Sequence, residues 1–150
     1  MYRSLILLAT ASLLLSACAT DPSQPSRADT RRSQYESVAG EPVDKIRAVN
    51  IYGWTDIDRE QLVLWTRPKE AWLLDLYAPC VGLEFTAKIG ISNFGNSIYA
   101  GSDAIVAWHD RCRIKTIRPI DYTALRAEQR RLKYGGELED RDALLEKAQN

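Results

Sequence analysis

Histidine is the side chain best suited to acid–base catalysis near neutral pH, and His109 is the only histidine in the chain. Asp110 follows it, but adjacent residues of a strand point to opposite faces, so Asp110 can orient His109 only if both lie in a turn. The Gly-x-Ser-x-Gly motif that positions a serine nucleophile does not occur in the sequence. We therefore interpret His109 as a polar loop residue and assign no catalytic residue. An envelope hydrolase that uses His109 is kept as an alternative.

Acidic residues alternate at Asp56, Asp58 and Glu60, in a pattern similar to the first ligand positions of a calcium-binding loop. The rest of that motif is missing. Gln61 stands where the loop needs glycine, and Arg67 stands where it needs a bidentate glutamate. The segment is therefore predicted to be a solvated turn between strands, and no metal site is expected.

The segment that ends at Cys18 has the pattern of an export signal. Arg3 gives a positive start, and residues 5–15 are uncharged and mostly apolar, a run too short for the ~20 residues that cross a bilayer as a helix. Leu15-Ser16-Ala17-Cys18 matches the lipobox of bacterial lipoproteins, in which the cysteine thiol receives a diacylglyceryl group. We expect residues 1–17 to be a cleaved signal peptide and Cys18 to be acylated.

Acylation would hold the mature chain on the periplasmic side of a membrane, with the lipid bilayer as its first partner. Ala19 follows the cysteine, where an aspartate would favour the inner membrane by resemblance to enteric lipoproteins, so the outer membrane is favoured.

Acylation of Cys18 would also leave an even pair, Cys80 and Cys112, in an oxidising compartment. A disulfide between them is the favoured interpretation, and two unlinked buried cysteines are the alternative. A metal site is less favoured, because neither cysteine belongs to a Cys-x-x-Cys pair and one histidine is available.

Composition limits the classes of function. Removing residues 1–17 from the 150-residue chain leaves enough sequence for one domain with a modest core. The whole chain carries 20 Lys and Arg against 20 Asp and Glu, with no basic block in the body of the domain. Nucleic acid is therefore disfavoured as a partner, and no cofactor is predicted.

The chain divides into segments of different composition. Residues 18–40 are rich in serine and proline and poor in large apolar side chains, so an acylated cysteine followed by a disordered, flexible tether is expected. Residues 41–121 form short apolar runs bounded by turn residues, which predicts a β-rich domain. Residues 122–150 are predicted to be a helical, charged tail that begins after an N-cap at Asp121 and is interrupted at Gly135-Gly136. The fold class is therefore α+β, a small antiparallel sheet with a C-terminal helix.

The strands are predicted from runs of β-branched, aromatic and aliphatic residues. Residues 62–66 are continuously apolar and predict a central strand, whereas residues 88–92 and 97–101 flank Phe94-Gly95-Asn96 and predict a hairpin. The other predicted strands are residues 46–53, 71–77, 104–108 and 113–118.

Five segments resemble an uncharacterised proteobacterial lipoprotein family, a domain of unknown function: Gly40-Glu41-Pro42-Val43, Gly53-Trp54, Leu62 to Thr66, Pro79-Cys80 and the run from Cys112 to Asp121. The resemblance covers about residues 40–121, and the linker and tail lie outside it. It implies a lipoprotein, a periplasmic location and a Cys80–Cys112 pairing. It implies no activity.

Nine aromatic side chains could fill the core or line a pocket for a sugar or an apolar ligand. Core packing is expected for most of them, with Trp54 and Trp108 as candidates for an exposed platform. The favoured function is a non-enzymatic module that binds an unknown envelope protein or component, and a small-ligand binder is an alternative. The aromatic residues are Tyr52, Trp54, Trp65, Trp72, Tyr77, Phe85, Phe94, Tyr99 and Trp108.

Overall fold

The computed structural model describes residues 25–47, 50–92 and 95–148, with side chains described as far as Gly135. Two helices, a 3-10 helix and eight strands follow one another in this part of the chain. They are α1 (Arg27–Glu36), β1 (Lys45–Arg47), β2 (Gly53–Asp56), β3 (Gln61–Arg67), β4 (Glu70–Leu76), the 3-10 helix (Val81–Phe85), β5 (Ile89–Ser92), β6 (Ser97–Tyr99), β7 (Ala104–Ala107), β8 (Asp110–Ile120) and α2 (Tyr122–Ala148).

Six strands form one antiparallel sheet in the order β2-β3-β4-β8-β7-β5, and β1 pairs with β6 in a separate two-stranded sheet. The central pairings are local hairpins, β2–β3 and β3–β4, whereas β4 pairs with β8 from much later in the chain. A β-bulge lies between Asp75 and Leu76, where β8 places Lys115 between the partners Thr116 and Ile114. The α+β class predicted from the sequence is confirmed.

Both faces of the central strands are buried, which explains the continuous apolar run in β3. Leu62 and Leu64 point to the inner face, and Val63 points to the outer face. The inner face packs under β1, β6 and the 3-10 helix, and the outer face packs under α1 and α2. Every residue of both core clusters lies between Tyr35 and Leu125, so a chain that begins at residue 19 retains the whole core.

The prediction of a flexible tether through residue 40 is wrong in its second half, because α1 occupies Arg27–Glu36. Ser26 and Asp29 form a capping box at its start, and Tyr35 is buried against the outer face of the sheet. The segment has too little apolar surface to fold alone, and it is ordered by contacts with distant residues. Arg32 donates to the Asp58 carboxylate at 2.8 Å, for example.

Three strand and helix predictions are also corrected. Residues 46–53 do not form one strand, because β1 ends at Arg47 and β2 begins at Gly53 in another sheet. The predicted hairpin around Gly95 is wrong, since β5 pairs with β7 and β6 pairs with β1. The predicted break at Gly135-Gly136 is absent in the described backbone, where α2 continues from Tyr122 to Ala148.

Candidate ligand-binding cleft

A disulfide joins Cys80 and Cys112, the pair expected from the sequence, with their Cα atoms 5.7 Å apart. Cys80 immediately precedes the 3-10 helix, and Cys112 lies on the inner face of β8. Both sulfurs are part of the inner core cluster, so the bond fastens the 3-10 helix to the sheet from inside.

Asp110 lies beside this disulfide and completes a group of three potential metal ligands within 4.8 Å of one another. The two sulfurs bond to each other, however, and the Asp110 carboxylate accepts the backbone N–H of Gly82 at 2.8 Å. The role of the group is therefore structural. A Cβ atom on Gly82 would lie 2.2 Å from the carbonyl oxygen of Ala107, so only glycine permits this approach.

His109 lies with Trp108 in the two-residue turn between β7 and β8, where Ala107 pairs with Asp110. In the described part of the chain its ring contacts the ring of Trp108 edge-on, at a centroid distance of 5.4 Å. Asp110 bonds to Gly82 and does not orient the imidazole. The turn thus brings no nucleophile to His109 among the described residues, and the geometry gives the hydrolase alternative no support.

The acidic segment after β2 forms the predicted turn, but it is less solvated than expected. Asp58 accepts the backbone N–H groups of Glu60 and Gln61 at 2.7 and 2.9 Å, and its other oxygen binds Arg32 of α1. Burial raises the pKa of Asp56, and its Oδ1 has no hydrogen-bond partner among the described residues. The Asp58 carboxylate therefore fastens α1 to the sheet, a role that the calcium-loop comparison did not suggest.

A polar cluster missed by the sequence analysis lies beneath α1, around the buried side chain of Gln61. Its Nε2 donates to Glu36 at 2.8 Å and to Asp75 at 2.6 Å. Asp75 also accepts from Thr116 and lies 3.4 Å from Arg118. These bonds join α1 to β3, β4 and β8, although Gln61 Oε1 and Arg118 Nε have no hydrogen-bond partner among the described residues.

A cleft of about 360 Å³ opens between the start of α2 and the edge of the sheet at β2 and β3. Its volume lies within the range typical of small-ligand sites. Four of its nine lining residues are aromatic, and none is acidic. The lining residues are Tyr52, Gly53, Trp54, Trp65, Pro68, Tyr122, Leu125, Arg126 and Gln129.

Helix α2 is held in place at the cleft by its first turn. Asp121 accepts the backbone N–H groups of Thr123 and Ala124 at 2.8 and 3.0 Å, which confirms the predicted N-cap. Tyr122 then packs edge-on against Trp65, with the ring centroids 6.3 Å apart. The Trp65 indole N–H donates to Thr55 at 3.0 Å, so a bond between two strand residues holds the indole in place at the cleft.

The accessible groups of the cleft combine an aromatic ring with polar side chains. Tyr52 is 68% exposed at the rim, Arg126 is exposed, and Gln129 is half-buried one helical turn further on. The arrangement offers an exposed aromatic side chain for stacking together with guanidinium and amide groups for hydrogen bonds. Chemically it can bind a ligand, and it brings no nucleophile and base together.

A larger groove of about 700 Å³ lies between β1 and the β3–β4 turn. Its lining is mainly polar and charged, and Arg67 and Glu70 within it form a salt bridge at 2.8 Å. Arg47 and Asn50 of its lining adjoin residues 48 and 49, which lie outside the described residues.

The two aromatics singled out from the sequence lie in different places. Trp54 borders the cleft and packs partly against the inner core, whereas Trp108 is 63% exposed in the β7–β8 turn. They therefore do not share one platform. Cys18 and the signal segment lie outside the described residues, and no described helix is long and apolar enough to cross a membrane.

A family model described as a family of unknown function (DUF6491) matches residues 1–135. The chain belongs to this family. The match extends beyond the 40–121 range expected from the sequence, since it includes the linker and the first part of α2. No functionally curated protein and no solved structure matches the chain.

The DUF6491 match encloses both core clusters, the disulfide and the whole lining of the cleft. It ends at residue 135, so the rest of α2 lies outside it. Membership of DUF6491 confirms the expected domain of unknown function and assigns no activity.

Proposed function

We propose that this DUF6491 protein is a lipid-anchored periplasmic module that binds an envelope component without chemically transforming it. The lipobox at Leu15–Cys18 supports the anchor, and the pairing of Cys80 with Cys112 agrees with an oxidising compartment. The observation that carries the binding function is the aromatic cleft beside α2.

The chemistry of the cleft favours a glycan as the envelope component. Sugar rings present apolar C–H faces that pack on aromatic side chains, and their hydroxyl groups bond to planar amide and guanidinium groups. Tyr52, Trp65 and Tyr122 supply aromatic side chains, while Arg126 and Gln129 supply polar groups. Because the lining includes a cation and no acidic residue, the ligand is a neutral or anionic saccharide.

The anchor is tested by expressing the full chain in a Gram-negative bacterium supplied with an alkyne-tagged fatty acid. We expect the label to enter the wild-type chain and to be lost in Cys18→Ser, while Cys80 and Cys112 remain as an internal disulfide. The matched control is Ser16→Ala, which keeps a small residue before the cleavage site and should retain the label. An unlabelled wild-type chain would contradict the anchor.

The binding function is tested by titrating a chain of residues 19–150 with soluble glycan fragments released from a bacterial envelope. Tyr52→Ala removes the most exposed aromatic side chain of the lining and is expected to weaken binding by about tenfold. Tyr99→Ala is the control, since Tyr99 is 41% exposed and lies outside the cleft lining. Equal binding by all three chains, or binding by none, would contradict the proposed site.

A further inference from the structure

The outer face of the six-stranded sheet is covered by helices over only part of its width. The cluster beneath α1 and α2 draws on β3, β4 and the end of β8, and no residue of β5 or β7 belongs to it. On the remaining part Val106 of β7 and Arg111 and Arg113 of β8 are exposed. We call the outward side of β5 and β7, together with Arg111 and Arg113 of β8, the uncovered face.

Strand register places the side chains of the uncovered face in two adjoining rows. In one row Arg113 lies beside Ala104 and over the ring of Tyr77, with 5.9 Å between the guanidinium carbon and the ring centroid. In the next row Arg111 lies opposite Val106, which lies opposite Gly90. Neither row contains an acidic residue.

Further cations and aromatics adjoin these rows. Lys115 is exposed at the bulge of β8, and Lys88 is exposed just before β5. Trp108 is 63% exposed in the turn where β7 joins β8, and Tyr77 is 59% exposed. The uncovered face therefore combines arginines and lysines with exposed aromatic rings, the combination that binds the headgroup region of an anionic bilayer.

The direction of α1 brings the start of the domain to the same end of the sheet. Arg32 bonds to Asp58 in the β2–β3 turn, whereas Ala39, beyond the end of the helix, bridges to Ile120 at the opposite end of β8. Antiparallel register puts the β2–β3 turn and the β7–β8 turn at one end of the sheet. The N-terminal end of α1 therefore points toward the end that carries Trp108.

The length of chain before α1 adds a distance limit. Ser26 follows Cys18 by eight positions, and eight residues span at most about 30 Å when fully extended. An acyl group on Cys18 would therefore keep this end of the domain within about 30 Å of the bilayer. A flexible tether that continued to residue 40 would allow a much greater separation.

We propose that the uncovered face docks onto an anionic phospholipid bilayer through Arg111, Arg113 and Trp108. This inference rests on the proposed lipid anchor for the short distance between domain and membrane. Docking would hold the domain in one orientation beside the bilayer, with the arginines at phosphate level and the indole in the interfacial layer.

The test uses the chain of residues 19–150, which lacks the acyl group, and measures co-sedimentation with vesicles. We expect binding to vesicles containing phosphatidylglycerol, no binding to pure phosphatidylcholine, and loss of binding as salt is raised. Arg111→Gln with Arg113→Gln should weaken binding about 30-fold, and Trp108→Ser should weaken it further. Thermal unfolding of each variant establishes that it is folded.

The matched control is Arg130→Gln with Lys133→Gln, which removes two exposed cations from α2 and should leave vesicle binding unchanged. Equal loss in the control pair, equal binding to both kinds of vesicle, or no binding at low salt would overturn the inference. Vesicle-independent dimers that bury the same face would identify a second copy as its occupant and would also overturn it. Because the soluble chain carries no lipid, failure here is distinguishable from failure of acylation at Cys18.

Discussion

Loss of the cross-link between Cys80 and Cys112 is expected to lower the free energy of unfolding by about 3.7 kcal/mol. The two cysteines are 32 positions apart, and the magnitude follows from the chain entropy that a closed loop of this length removes from the unfolded state. A loss of this size is a large fraction of the ~5–15 kcal/mol typical of small domains. The reduced domain should therefore unfold at a much lower denaturant concentration.

The assay is urea unfolding of the chain of residues 19–150, followed by tryptophan fluorescence. Oxidised wild type is compared with reduced wild type, which loses the bond without losing an atom. The double variant Cys80→Ala with Cys112→Ala should be less stable than reduced wild type by a further ~1–2 kcal/mol, because it also loses the packing of both sulfurs in the inner core cluster. If reduction changed the unfolding free energy by less than about 1 kcal/mol, the loop-closure reasoning would be refuted.

Three further substitutions, one of them with a matched control, test the packing, electrostatics and capping of the domain. Gly82→Ala should cost at least about 1–3 kcal/mol because its Cβ would meet the Ala107 carbonyl at 2.2 Å, whereas Gly53→Ala, with nothing within 4 Å, should be nearly neutral in the same urea assay. Burial raises the pKa of Asp56, so its ionised form opposes folding, and the stability contributed by its protonated form is lost as pH rises through the carboxyl range. Asp56→Asn should therefore raise the melting temperature at pH 7 and have little effect at pH 3. Because the Asp56 side chain is 39% exposed, the expected gain in unfolding free energy is less than about 1 kcal/mol. A lower melting temperature at pH 7 would contradict the raised pKa of Asp56. Ser26→Ala should cost about 1 kcal/mol and speed amide exchange within α1, and unchanged exchange would show that the capping box is not needed.

Local sequence patterns predict the strands and helices in which the order of apolar and polar residues indicates which side chains are buried. The continuous apolar run of β3 and the runs of β-branched, aromatic and aliphatic residues in β4 and β8 predict these strands, and the Asp121 cap predicts the start of α2. Pairing between distant segments was not predictable in this way. The sequence around Gly95 predicts a hairpin, but each flanking strand pairs with a distant segment, β5 with β7 and β6 with β1.

Helix α1 and the cleft show a second limit of sequence reasoning. Tyr35 is the only residue of α1 that is buried, so the segment lacks an apolar stripe, and its stability depends on bonds such as those from Arg32 to Asp58 and from Gln61 to Glu36. Three aromatic residues of the cleft, Tyr52, Trp54 and Trp65, are among the candidates named from the sequence, whereas Tyr122 is not. The cleft forms where Tyr122 packs on Trp65, and local sequence patterns do not predict this contact because the two residues are far apart in the chain.

The central claim is that the cleft between α2 and the sheet edge binds an envelope glycan. The most direct measurement is a two-dimensional ¹⁵N NMR titration of the chain of residues 19–150 with soluble envelope glycan fragments. The indole signal of Trp65 and the amide signals of Arg126 and Gln129 should shift and saturate together, while the indole signal of Trp108 outside the cleft stays unchanged. Shifts confined to the Trp108 region, or none at any glycan concentration, would contradict the account.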